Sequence, residues 1–178
     1  MKKISLIDED FMDFPIGEFP YDKNHSAIGE YHFIHFPGFY GRWYDPVCNY
    51  RYNGQGASWC IMEYNGRHYM EQMRLHNTEP HRTFPTLETG DRFWRDYDIE
   101  AGLRMFNTKW GSAGIGFCAQ NSLNLLACIF EDKKLKLVYR HKENVEEIKS
   151  VDFDYNCDDT YNIKVSVKGN HVICSVDG

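Results

Sequence analysis

From Tyr161 to Val176 apolar and polar side chains alternate one for one, and a two-residue break interrupts them once. Tyr161, Ile163, Val165 and Val167 are interleaved with Asn162, Lys164, Ser166 and Lys168, and Val172, Cys174 and Val176 resume the pattern after Gly169-Asn170. A period of two places every apolar side chain on one face of an extended strand, and no helix can satisfy it. The break is a tight-turn signal, so the segment reads as a β-hairpin. The same logic makes a hairpin of Trp59–Glu63 and Arg67–Arg74 around Asn65-Gly66. It also makes a strand of Leu135, Leu137 and Tyr139 after the Glu131-Asp132-Lys133-Lys134 turn.

Further upstream, Tyr97, Ile99, Ala101, Leu103 and Met105 share one face of a strand, leaving Asp96, Asp98, Glu100 and Arg104 on the other. The stretch from Leu75 to Gly90 is polar, contains proline and has no period, which predicts a long surface loop. No segment of about 11 residues or more keeps an amphipathic helical stripe. The best such stretch, Asn144 to Ser150, is a helical turn or two at most. Many short strands without helices predict an all-β fold, an antiparallel β-sandwich or jelly roll.

The 178 residues fit a single domain spanning 1–178. A formal charge of -6, from 26 Asp and Glu against 20 Lys and Arg, provides no basic stripe for gripping phosphates, which argues against nucleic acid as a partner. No run of about 18 apolar residues suggests a membrane span. The apolar stretch Ile4 to Ile7 is too short for a secretory leader and is followed by acids, so the expected location is cytoplasmic. The six cysteines, at 48, 60, 118, 128, 157 and 174, show no C-x-x-C and no zinc-finger spacing, and are expected to be free thiols.

A series of short motifs runs along the chain: EDFMDFPIGEFPYD, GEYH, GRWYDP, W-x-x-x-E at Trp59 to Glu63, GDRFWRDYDIEAGLR, GIGFCAQNS and IKVSVKGNHVICSVDG. In this order the chain resembles the concanavalin A-like lectin/glucanase superfamily, nearest to its laminin G-like and 3-keto-disaccharide hydrolase-like jelly rolls. The resemblance implies a carbohydrate-binding, lectin-like module accessory to a glycoside hydrolase or other carbohydrate-active enzyme, with that catalytic domain as a covalent or adjacent partner. Two positions depart from the family pattern. Cys118 stands where relatives often carry an Arg, and Leu125 and Leu126 stand where they carry an aromatic pair.

Laminarinase-like members of that superfamily place E-x-D-x-E on one strand, the outer pair serving as nucleophile and acid/base. Here the row is Asp96, Asp98 and Glu100. A retaining mechanism needs the two carboxyl groups about 5 to 5.5 Å apart. Strand positions i and i+4 are roughly 13 Å apart at Cα, and Asp is one methylene shorter than Glu. We therefore take the row as the wet face of a strand, with a glycoside hydrolase using Asp96, Asp98 and Glu100 as the alternative.

Aromatic faces cover the C–H face of a sugar ring while amides and carboxylates take its hydroxyls. Loop residues Trp43, Tyr44 and Tyr50, with Glu71, Gln72, Gln120 and Asn121, are the binding candidates on that basis. No metal or other cofactor is expected. Calcium is the one alternative, through Asp10, Asp13, Asp158 and Asp159, because many laminin G-like folds bind it through oxygen ligands. There is no G-x-S-x-G elbow and no phosphate-binding glycine loop. A non-binding structural jelly roll packed on a catalytic domain is the third reading. Finally, Asp177-Gly178 is a hairpin-turn signal, from which we expect a closing strand beyond Gly178 in a longer protein, or a homodimer through the open edge.

Overall fold

The computed structural model describes residues 4–19, 43, 59–73, 86–91, 93–106, 111–142 and 144–178. These residues form ten strands in three antiparallel sheets and no helix, so the all-β expectation holds. No helix among them is long and apolar enough to cross a membrane. The chain divides into two compact units, Met1–Asp91 and Arg92–Gly178.

The first unit contains one three-stranded sheet, in the order β1 (Gly17–Phe19), β2 (Trp59–Tyr64), β3 (Arg67–Gln72). Asn65 and Gly66 join β2 to β3 with φ of +51° and +71°. Left-handed values at both central residues define the type I′ turn, whose twist matches that of the strands it joins. The hairpin legible at Asn65-Gly66 is thus present, in the register Tyr64 opposite Arg67. Phe14, Phe19 and Ile61 form the core of this unit, with Phe11, Trp43, Trp59, Met70 and Leu87 packed around them. Much of the predicted Leu75–Gly90 loop lies outside the described residues; at its end Gly90 is buried.

The second unit contains the other two sheets. One has the order β10 (His171–Val176), β9 (Thr160–Lys168), β4 (Asp98–Arg104). The other runs β5 (Ala113–Asn121), β6 (Asn124–Glu131), β7 (Lys134–His141), β8 (Asn144–Asp152). Both sheets feed one core, built from Ile115 and Phe117 of β5, Cys128 and Phe130 of β6, and Ile163, Val165 and Val167 of β9, closed by Met105 and Tyr155. Such sharing makes this unit sandwich-like. At its centre Phe130 stacks on Phe153 (ring centroids 5.4 Å apart, 9° between planes) and meets Tyr161 edge-on at 5.6 Å. The β9–β10 hairpin has the predicted Gly169-Asn170 turn; Ile99 and Leu103 of β4, and Tyr97 just before it, pack on the core, while Ala101 stays exposed.

One prediction fails. Asn144 to Ser150 belongs to a strand, β8, and not to a helical turn. The apolar residues Val145, Ile148 and Val151 are spaced by three and so break the one-for-one alternation of a regular strand. On the strand, a bulge opposite Leu137 and Val138 leaves Ile148 without a ladder partner and switches the phase between Val145 and Val151. Pairing with β7 supplies the backbone hydrogen bonds that a short helix would have had to make alone. Because β8 is an outer strand, all three apolar side chains remain about half exposed. Charged Glu146, Glu147 and Lys149 and the bulge itself protect that edge from pairing with other chains.

Candidate ligand site

The acidic row lies on the outer face of the β10-β9-β4 sheet, where alternation placed it, and each carboxylate accepts a hydrogen bond. Gly169 N donates to Asp96 Oδ1 (2.7 Å), Ser166 Oγ to Asp98 Oδ1 (2.6 Å) and Asn162 Nδ2 to Glu100 Oε1 (2.6 Å). The donors come from β9 or its turn, so the row joins β4 to its neighbour. Asp96 itself adopts a left-handed φ of +52°, which turns its carboxylate towards the Gly169 amide. Asp is one of the few residues that tolerates this conformation.

Among the binding candidates, Tyr44 and Tyr50 lie outside the described residues. Trp43 is committed to the core of the first unit: its Nε1 donates to Glu9 Oε2 (2.9 Å) and its ring meets Phe11 at 5.6 Å. Glu71 and Gln72 sit at the end of β3 opposite Cys60 and Trp59. Gln72 Nε2 and Trp59 Nε1 are buried without a hydrogen-bond partner. The Cys60 thiol beside them is pushed above its usual range by burial, and by the negative charges of Glu18 and Glu71.

The calcium candidates are held by other contacts. Arg104 Nη2 pairs with Asp158 Oδ1 at 2.9 Å, Asn156 Nδ2 donates to Asp159 Oδ2 (3.2 Å), and Met12 N donates to Asp10 Oδ1 (3.1 Å). Asp13 also has a partner of its own. Among the described residues no three His, Cys, Asp or Glu side chains converge as a metal site requires.

The two remaining candidates, Gln120 and Asn121, lead to a site in the second unit. Here β5 bulges between Phe117 and Asn121, and Cys118 takes a left-handed φ of +50°. A non-glycine residue keeps such a conformation only where its surroundings hold it there. Tyr97 does so: Cys118 N donates to the Tyr97 hydroxyl (3.0 Å), which in turn reaches Cys118 Sγ (3.7 Å). Burial pushes the Tyr97 phenol up to about 12, so it keeps its proton at neutral pH.

Beside the bulge lies a depression of about 200 Å³, lined by Cys118, Gln120, Asn124, Leu125, Leu126 and Tyr139. Its rim is a hydrogen-bonded ladder. His141 Nδ1 donates to Asn124 Oδ1 (2.9 Å), and Asn124 Nδ2 donates to Asn121 Oδ1 (2.8 Å). Asn121 Oδ1 also accepts from Leu123 N (3.0 Å), which fixes the turn between β5 and β6. On the same face of β7, the Tyr139 and His141 rings stack with centroids 6.0 Å apart and 26° between planes.

The chain matches no family model, no curated protein and no solved structure. The chemistry of the depression must therefore be read from its own side chains. Its lining joins the side chains of Leu125 and Leu126, the exposed Tyr139 ring and the amides of Gln120 and Asn124. Among the described residues no carboxylate, ammonium or guanidinium lines it. Such a surface suits a small neutral ligand with one apolar face and several hydroxyls.

The sequence reading reached Gln120 and Asn121 but missed Tyr139, His141 and Asn124. In the sequence Tyr139 reads only as one apolar position of a strand, in one alternating series with Leu135 and Leu137. Its cross-strand row explains the outcome: Phe117 is 3% exposed, Leu126 partly buried, Tyr139 38% exposed and Glu146 exposed. Three strands face four, so the core face of β7 emerges from cover towards β8.

Proposed function

We propose that this protein is a non-catalytic carbohydrate-binding module, a concanavalin A-like jelly roll accessory to a carbohydrate-active enzyme, and that it binds sugar in the depression beside Cys118. The observation that carries the reading is the exposed Tyr139–His141 stack standing next to the amides of Gln120 and Asn124. One ring-sized apolar face can rest on Tyr139 while the amides exchange hydrogen bonds with its hydroxyls. The volume suits a single sugar ring, being smaller than the roughly 300 Å³ at which pockets for larger ligands begin. Hydrolysis by the acidic row is disfavoured because Asp96, Asp98 and Glu100 each serve as cross-strand acceptors on a different surface from the depression.

The test is a glycan-array screen followed by calorimetry of the best ligand with the native chain, Tyr139→Ala and Gln120→Ala. Binding without turnover, weakened roughly five- to thirtyfold by Tyr139→Ala, supports the module, because an aromatic platform of this kind contributes on the order of 1 to 2 kcal/mol. Binding unaffected by both substitutions moves the site elsewhere. Turnover that disappears in Glu100→Gln replaces the module with the hydrolase.

A further inference from the structure

The hydrogen-bonded ladder beside the depression has a direction, and that direction begins at the backbone. Leu123 N can only donate, so the Asn121 side-chain atom it meets at 3.0 Å is the amide oxygen. That oxygen can only accept, so the Asn124 atom that reaches it at 2.8 Å is the NH2 nitrogen. The Asn124 oxygen is thereby turned to His141 Nδ1 at 2.9 Å, and an acceptor in that place requires a proton on Nδ1. A neutral imidazole holds one ring proton, which leaves Nε2 with its lone pair. Tyr139 fits this assignment. Its hydroxyl stands 3.5 Å from the same Nδ1, too long for an ordinary donated bond, and a protonated nitrogen has no lone pair to receive one.

We propose that His141 Nε2 is the acceptor through which the depression selects a free hydroxyl of its sugar, a role that the Leu123 amide imposes through Asn121 and Asn124. The inference rests on the sugar-binding reading given above. Nε2 has no partner among the described residues, and the residue that carries it is exposed. The imidazole stacks on Tyr139 and is bonded to Asn124, both of which line the depression. A sugar seated with its apolar face on Tyr139 thus brings its edge hydroxyls beside the imidazole.

The chemistry of Nε2 differs from that of its neighbours. The amides of Gln120 and Asn124 carry both donors and acceptors, so they accommodate a hydroxyl or an ether oxygen alike. A bare imidazole nitrogen accommodates only a donor. A sugar that is deoxygenated or O-alkylated at the matching carbon has no proton to offer it. The ligand class is therefore a neutral sugar left unsubstituted at that position. Because the ladder fixes the tautomer before the ligand arrives, binding requires no proton shift within the ring.

The experiment has two arms, and the first needs no ligand. Two-bond nitrogen–proton correlation spectra of the full chain, recorded at about pH 8, where a histidine ring is ordinarily neutral, show which nitrogen of His141 carries the proton. The expected result is Nδ1 protonated and Nε2 bare. It should change to a mixture of tautomers in Asn121→Ala, which cuts the ladder from its anchor, and in Asn124→Ala, which removes the acceptor. Nε2 protonated in the native chain, or a tautomer unmoved by both substitutions, would overturn the proposal. In the second arm, calorimetry compares methyl glycosides of glucose, galactose, mannose, xylose and arabinose, and the mono-deoxy and mono-O-methyl derivatives of whichever binds best, on the native chain and His141→Phe. Modification at one position should weaken binding to the native chain roughly three- to tenfold, the worth of one hydrogen bond, and leave binding to His141→Phe unchanged. The same loss in both proteins would overturn the proposal while leaving sugar binding in place. If none of the glycosides binds, the module reading fails, and the ligand assigned to Nε2 fails with it whatever the tautomer.

Discussion

The hydroxyl of Tyr155 provides a sharp test of how the second unit is held together. Tyr155 has no exposed surface, its ring lies 5.2 Å from that of Phe130, and its hydroxyl oxygen is buried without a hydrogen-bond partner. Its backbone is well anchored: Tyr155 N donates to Phe153 O (3.0 Å), and Lys133 Nζ donates to Tyr155 O while lying 5.2 Å from the ring centre. The side chain therefore contributes packing, and its oxygen contributes only a desolvation cost.

Tyr155→Phe removes that cost. A buried polar group left unpaired costs about 1 to 3 kcal/mol. The space vacated by one oxygen returns only a few tenths of a kcal/mol of cavity penalty. The substitution should therefore stabilise the protein by about 1 kcal/mol, where a buried Tyr→Phe that breaks a hydrogen bond would destabilise by a similar amount. Urea unfolding reads the sign directly, as a higher midpoint at unchanged m, and Tm should rise by roughly 5 °C. Tyr155→Ala, which also removes the ring, should cost about 3 to 5 kcal/mol. A Tyr155→Phe midpoint lower by the equivalent of about 1 kcal/mol would mean that the hydroxyl is paired, and would refute the reasoning.

Three further outcomes rest on close packing and on charge. A Cβ on Gly114 would lie 2.0 Å from the Cys128 carbonyl oxygen and 2.7 Å from the Ile129 Cα, so Gly114→Ala must separate β5 from β6 and should cost more than about 3 kcal/mol by chemical denaturation. Gly102→Ala, whose new methyl meets only Thr160 Cγ2 at 3.5 Å, should be neutral or slightly stabilising. Lys136, largely buried, holds Glu131 at 2.8 Å and Asp132 at 2.9 Å, and these hydrogen bonds raise its folded pKa above the unfolded one. Its contribution is fully present below the unfolded value of about 10.4 and is lost as pH rises through the higher folded value. Native chain minus Lys136→Met should accordingly differ by a constant amount, on the order of 1 to 3 kcal/mol, from pH 7 to about 10, and converge above that.

What the sequence made legible and what it hid divide along a physical line. Local chemistry was readable: Asn65-Gly66 and Gly169-Asn170 are turns because their residues accept the backbone angles, and the parity of β4 and β9 follows from side chains alternating across a strand. The phase of β8 was not, because the bulge that sets it is imposed by pairing with β7, whose ladder overrides the three-residue spacing of Val145, Ile148 and Val151. The carboxylate row shows both sides at once. Alternation placed Asp98 and Glu100 outward, but their partners Ser166 and Asn162 are more than sixty positions away and become neighbours only when β9 aligns with β4.

The depression is the furthest from sequence because it depends on unequal cover. Parity assigns Phe117, Leu126 and Tyr139 to one face, and nothing in the alternation says where along that row the opposing sheet stops. Its end is set by strand number, three against four, and by a left-handed Cys118 whose conformation depends on a hydroxyl twenty-one positions earlier. The expected aromatics Trp43, Tyr44 and Tyr50 were chosen as loop residues, since loops are exposed. Trp43 shows the weakness of that rule: a carboxylate acceptor, Glu9, and an aromatic neighbour, Phe11, suffice to draw a loop tryptophan into a core. A strand residue such as Tyr139 follows the opposite course. It keeps its core-facing direction, loses its cover at the sheet's end, and so presents an aromatic face to solvent on a rigid support. Binding sites on rigid elements hold their geometry more closely than sites on loops. That difference favours the β7 rim over the first unit's loops as the place to seek a ligand.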